Sequence, residues 1–183
     1  MRFPMLEQVA LPVVFETFIP GQPHADGRRY LPILLLRLNN GVELGVVDRH
    51  HYVDTKLAGR TGIARLVFLL SAISLQPSPQ QRQGITGGGG LMSVPEAYGQ
   101  VTAVPSWEAQ SGHLPYESLY TELLLDVGDG TVGVRTSITA DDMTATIGKP
   151  QFEVGDWIHV ARSRVDILGF EATTASTAAE STR

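Results

Sequence analysis

The sequence contains no cysteine, which excludes disulfide staples and any thiolate metal site. Aromatic residues are 7% and charged residues 18% of the 183 positions, far from the high charge and low hydrophobicity of a disordered chain. No long membrane span is written into it. The longest apolar run, Ile63 to Leu75, carries Arg65, Ser71 and Ser74, whereas a spanning helix needs about 20 apolar residues. The start, Met1 to Glu7, lacks the apolar core and cleavage site of a signal peptide, because Pro4 and Glu7 interrupt it. These absences point to a soluble, cytoplasmic protein with no membrane partner.

Catalytic signatures are missing as well. Serines and five histidines are present, but no nucleophile elbow or paired acid/base spacing joins them. Gly87 to Gly90 is not followed by the Lys and Ser/Thr of a phosphate loop. The expectation is a non-enzymatic protein with no catalytic residues and no cofactor.

What the chain does contain is a repeat. Leu34 to Gly41, followed by Leu44-Gly45-Val46, recurs as Leu123 to Gly130, followed by Val132-Gly133-Val134. Gly59 and Gly148 continue the correspondence. Repeats of this kind decide the architecture before any local reading does. Each copy presents apolar strands around a tight turn, Asn39-Asn40-Gly41 in one and Gly128-Asp129-Gly130 in the other, where Asn, Asp and Gly tolerate positive φ. Val9–Ile19, Tyr30–Leu38 and Val42–Val47 read as strands of the first copy. Tyr98–Val104, Leu119–Val127, Thr131–Ser137, Trp157–Ala161 and Val165–Phe170 read as strands of the second. Arg65 to Leu75 lacks alternation and fits a buried strand or a helix, with the repeat favouring strand. His51 to Leu57 fits a short helix or turn. Thr139 is an N-cap with Asp142 in the capping-box position, opening a short helix that ends by Gly148 and Pro150.

The resulting division is 1–76, a Pro/Gly-rich linker at 77–97, a second unit at 98–171, and a disordered tail at 172–183. Phe152 and Trp157 are expected in the core, and His159 in a structural role.

The order strand, long loop, strand, tight turn, strand, short helix, strand, turn, strand is that of a five-stranded Greek-key barrel. Gly99-Gln100-Val101, Gly128-Asp129-Gly130 and Val154-Gly155-Asp156-Trp157-Ile158-His159-Val160 make the second unit resemble an OB-fold family domain, and residues 9–76 resemble it more loosely. The fold class implied is all-β with short helices, as two small OB-like barrels in tandem. Such barrels commonly bind single-stranded nucleic acid or oligosaccharide on the strand 2–3 face and its flanking loops, and some serve as protein-docking modules.

Charge is uneven. Residues 1–80 hold eight Lys/Arg against six Asp/Glu, and residues 81–183 hold six against thirteen. A polyanion would therefore choose the first unit. Cations and rings suited to phosphate and base contacts are Arg28, Arg29 and Tyr30 in the first long loop, Arg37 on the second strand, Arg49, His50 and Tyr52 after the third, then Lys56 and Arg60. Trp107, Tyr116 and Tyr120 of the second unit lie among Glu108, Glu117 and Glu122, which would repel phosphate. Asp48 to Asp54 could be imagined around a metal, but the two-His spacing of helical zinc sites is absent, so no metal is expected. The leading expectation is single-stranded nucleic-acid binding through the first unit. The alternative is a structural or assembly protein that docks a protein partner or self-associates.

Overall fold

The computed structural model of the chain describes residues 3, 5–69, 71–89, 94–105, 121–136, 138 and 140–174. The class is all-β. The strands are β1 (Leu11–Ile19), β2 (Ile33–Leu38), β3 (Glu43–Val47), β4 (Thr61–Leu69), β5 (Ile73–Leu75), β6 (Gly84–Thr86), β7 (Glu96–Ala103), β8 (Thr121–Asp126), β9 (Thr131–Thr136), β10 (Trp157–Val160) and β11 (Arg164–Ala172). One α-helix, α1 (Ala140–Ile147), is joined by 3-10 turns at Leu6–Gln8 and Thr55–Leu57.

Local chemistry sets the hairpins. Gly41 takes φ +84°, a region open to glycine at little cost. The Asn40 side chain accepts from Val42 N at 3.0 Å, closing the β2–β3 turn. In the second copy Asp126 accepts from Gly128 N at 2.8 Å. These matched turns place β2 against β3 and β8 against β9, both antiparallel.

Hydrogen bonding runs β1-β2-β3-β11-β4-β9-β8-β7-β10-β5, with β1 also paired to β4 and β6 to β7. Strands β1, β2, β3, β11 and β4 therefore close on themselves as a five-stranded barrel, compatible with an OB-like barrel. Its fourth and fifth staves come from different halves of the sequence. β4 belongs to the first copy. β11, from the second, lies antiparallel to β4 across 62–69 and parallel to β3 at Val47.

The remaining strands extend the sheet beyond the barrel. The end of β4, Val67 to Leu69, runs parallel to β9. The chain then passes to β5, which pairs antiparallel with β10. Ser71 N donates to Arg135 O at 3.4 Å and Ala161 N to Ala72 O at 2.9 Å, so this segment links β9 to β10.

Burial explains why Arg65 to Leu75 shows no alternation. Leu66 and Phe68 face the larger core with Phe15, Leu34, Leu36 and Val46. Val67 and Leu69 face a second cluster with Phe3, Val9, Leu124 and Leu168. A strand buried on both faces is apolar at every position.

Some expectations shift. The segment read as linker contributes β6, whose Gly84–Thr86 pair with β7, and β11 continues through Ala172. Phe152 is fully buried and Trp157 half-buried. Thr139, the loop carrying Trp107, His113, Tyr116 and Tyr120, and residues 175–183 of the expected tail lie outside the described residues. No helix among the described residues is long and apolar enough to cross a membrane.

Candidate functional site

The outer face of β2 and β3 is where the sequence departs most from a solvated surface. Alternation sends Leu34, Leu36, Leu44 and Val46 into the core. The outward positions should then be polar, yet Ile33, Leu35 and Val47 occupy them, half-buried. The long loop 20–32 folds over this face. Tyr30 N donates to Gln22 O and His24 N to Arg28 O, at 2.9 and 2.7 Å, so the loop is a closed structure. The result is a groove of about 560 Å³ lined by Ile19, Leu31, Ile33, Val47 and Val94, with Tyr30 and Arg164 on its wall. Tyr30 is 60% exposed, and its ring meets His24 edge-on at 5.3 Å.

A second loop, 48–54, abuts the same end. Asp48 N donates to Pro32 O at 3.1 Å. The Asp48 carboxylate is buried and accepts from Tyr52 N and Val53 N at 2.9 and 3.1 Å. It shapes the loop, and Tyr52 is left half exposed with His50 tilted against it at 5.2 Å. Asp48 thus has a backbone role. Among the described residues no group of three or more His, Cys, Asp or Glu is placed to hold a metal.

The structure divides the residues expected to bind phosphate. Arg28, Arg29 and Tyr30 lie on the groove's loop, and Arg49, His50 and Tyr52 on the adjoining one. Arg37, Lys56 and Arg60 do not line the groove. Lys56 and Arg60 sit on the turn that docks on β1 through Phe15 N to Arg60 O, 2.9 Å. Several of the cations already face a carboxylate. Arg37 pairs with Glu16, Arg28 stands 3.9 Å from Asp26, and Arg49 stands 3.4 Å from Asp166. Arg29, Lys56 and Arg60 make no ion pair among the described residues.

Sequence reasoning missed the apolar wall and Arg164. A signal existed in the unbroken run Leu31 to Leu36, too apolar for a strand with one wet face. Nothing local places Val94 and Arg164 there. They arrive because Ser163 N donates to Pro95 O at 3.1 Å and β11 enters the barrel.

A second recess, of about 390 Å³, lies between residues 74–82 and the outer face of β7 and β10. The Arg82 guanidinium lies 3.7 Å from the Tyr98 ring centre, and Tyr98 stacks on His159 at 4.5 Å and 8°. Tyr98 OH donates to Glu96 at 3.0 Å. These groups spend their faces on one another, which pins the 76–83 segment to β7 and gives His159 a structural place.

The fold and groove together define an all-β barrel protein with an apolar recess on the β2–β3 face among the described residues. The chain matches no protein-family model, no curated protein and no solved structure.

Proposed function

We propose that the chain is a non-enzymatic binding protein built as two tandem OB-like barrels, and that the β2–β3 groove docks apolar side chains of a protein partner. What supports the tandem reading is the reciprocal pairing: β3 with β11 and β9 with β4 are both parallel, each joining a third strand to a closing strand from the other copy. The absence of cysteine suits a cytoplasmic setting.

The observation that carries the docking reading is the groove's lining. A recess of this size, walled by Ile19, Leu31, Ile33, Val47 and Val94, gains from covering apolar surface and offers little to phosphate. Tyr30, Leu31 and Val94 are exposed around it, and tyrosine is a frequent anchor of protein interfaces. Its surroundings carry Arg28, Arg29, Arg49 and Arg164 against Asp26 and Asp166, so the complementary segment is apolar with acidic flanks. One observation favours the nucleic-acid alternative: Tyr30 and Tyr52 are exposed rings on loops that also carry Arg29 and Arg49, and stacking rings with cations serve single strands.

The two readings separate in one binding experiment. The probes are a labelled heptapeptide alternating Leu or Phe with Asp, and a labelled oligothymidylate, each titrated at low and high salt. Saturable peptide binding, weakened tenfold or more by Val47→Glu with the melting curve preserved, is expected. Oligonucleotide binding with a steep salt slope and no peptide binding would overturn docking in favour of nucleic acid. Failure of both probes would sink both.

A further inference from the structure

The complement that the groove calls for, an exposed apolar side chain between acids, occurs within this chain. Between α1 and β10, Glu153-Val154-Gly155-Asp156 forms a closed turn. Asp156 N donates to Glu153 O at 3.1 Å, and Glu153 N donates to the Asp156 carboxylate at 2.8 Å. Gly155 takes φ +97°, the positive value that the third position of a type II turn requires. Lys149 ties both acids, at 3.0 and 2.6 Å. Val154 stands at the tip, 68% exposed, the most exposed of the large hydrophobic residues among those described. Glu153 keeps most of its side chain in solvent. Asp126 lies abreast of Trp157 across Gln100, and Asp129 is exposed on the turn after β8. This end thus carries Asp126, Asp129, Glu153 and Asp156 against Lys149. The groove's rim has the opposite sign. Arg28 is largely exposed, and Arg29 and Arg162 make no ion pair among the described residues. The bond from Ser163 N to Pro95 O sets the Arg162 turn beside Val94. Gly155 N donates to Val101 O, whereas Val94 precedes Glu96, the first residue of β7. Acidic tip and basic groove therefore lie toward opposite ends of β7.

We propose that the partner of the groove is a second copy of this chain, which inserts Val154 against Leu31 and Val47 and sets Glu153 and its neighbouring carboxylates opposite Arg28, Arg29 and Arg162. The inference rests on the docking reading and adds to it the identity of the partner. A turn already closed by its own hydrogen bonds loses little freedom on docking. Attraction between a basic rim and an acidic tip guides the copies into one orientation and is screened by salt. Tip and groove are different patches, so the contact is heterologous. Each added copy offers a further tip or groove, and association grows into open chains or closes as a ring. One valine and a few rim charges make a small contact of the transient kind, so assembly depends on concentration.

Sedimentation of the full chain at rising concentration tests this. The average mass should climb past that of the monomer at low salt and fall back as salt is raised. Val47→Glu in the groove and Val154→Lys at the tip should each weaken association about tenfold or more, with melting curves preserved. Mixed in equal amounts, the two variants should form a one-to-one dimer that grows no further, since one retains the tip and the other the groove. Should Val47→Glu fail to fold, Leu31→Glu on the loop side of the groove replaces it. An excess of the Leu/Asp heptapeptide should dissociate assemblies of the natural chain. A chain that stays monomeric at every concentration, or assemblies indifferent to Val154→Lys, would overturn self-docking. If the heptapeptide still binds in that case, the groove serves another protein and the docking reading stands. A monomeric chain that binds no heptapeptide overturns both.

Discussion

Val47 of β3 and Asp166 of β11 lie side by side in parallel register. They stand far apart in the sequence, so the barrel that β1 to β4 begin is closed by β11, the last strand of the described residues.

A chain ending at Ser163 loses β11. It then lacks the partner of β4 across Gly62 to Leu69 and the buried side chains Val165, Ile167 and Leu168. The expected outcome is an expanded product without a sharp thermal transition, followed by circular dichroism and limited proteolysis. A control ending at Thr174 should melt like the whole chain. Survival of an intact N-terminal barrel in the shorter product would show that the exchange is dispensable.

Gly21 sits where a Cβ would overlap the carbonyl oxygen of Tyr30. Because backbone, not a flexible side chain, stands in the way, Gly21→Ala should open the 20–32 loop. The barrel does not depend on that loop, so the melting temperature should move little. Binding of the Leu/Asp heptapeptide should fall tenfold or more, and proteolysis within 21–31 should quicken. Unchanged binding would separate the loop from the groove's work.

Phe15 in β1 meets Phe170 in β11 edge-on, with ring centres 5.6 Å apart at 73°. Phe15 is fully buried, so Phe15→Ala should cost about 3–5 kcal/mol by denaturant unfolding. A double-mutant cycle of Phe15→Leu and Phe170→Leu should return a coupling of about 0.5–1.5 kcal/mol. Zero coupling would mean that the two rings are adjacent without mutual benefit.

Lys149 follows α1 and bridges to Asp156 at 2.6 Å and Glu153 at 3.0 Å. Its hydrogen bonds, first to Asp156 and then to Glu153, hold its pKa above the ordinary lysine value of 10.5. A raised folded-state pKa gives stability that is full below 10.5 and lost as pH climbs through the raised value. Thermal unfolding of the natural chain and of Lys149→Met, from neutral to strongly alkaline pH, should show a gap that closes above 10.5. A gap constant with pH would leave packing as the only role of Lys149.

The local grammar was legible in the sequence. The turns at Gly41 and Gly128, the strands around them and the helix ending at Gly148 could be read from Gly, Asn and Asp at positions that need them. The tertiary exchange could not. Arg65 to Leu75 resisted assignment because two cores take alternate residues of β4, a fact that lives in packing and leaves no period. For the groove, Tyr30 was legible as an exposed ring in a polar loop. Arg28, Arg37 and Arg49 were legible as cations, and the carboxylates they face in the fold were not. Asp26, Glu16 and Asp166 reach them only through the loop geometry, the β1–β2 register and the exchanged strand. Arg164 is distant from every other groove residue along the chain.

The exchange also sets an order of manufacture. On the ribosome, β1 to β4 emerge with a gap between β3 and β4, and the strand that fills it follows nearly a hundred residues later in the sequence. Until β11 arrives, two strand edges and the apolar faces of Phe15, Leu36 and Phe68 lack their cover. The barrel that synthesis begins first is therefore completed only when its last strand emerges.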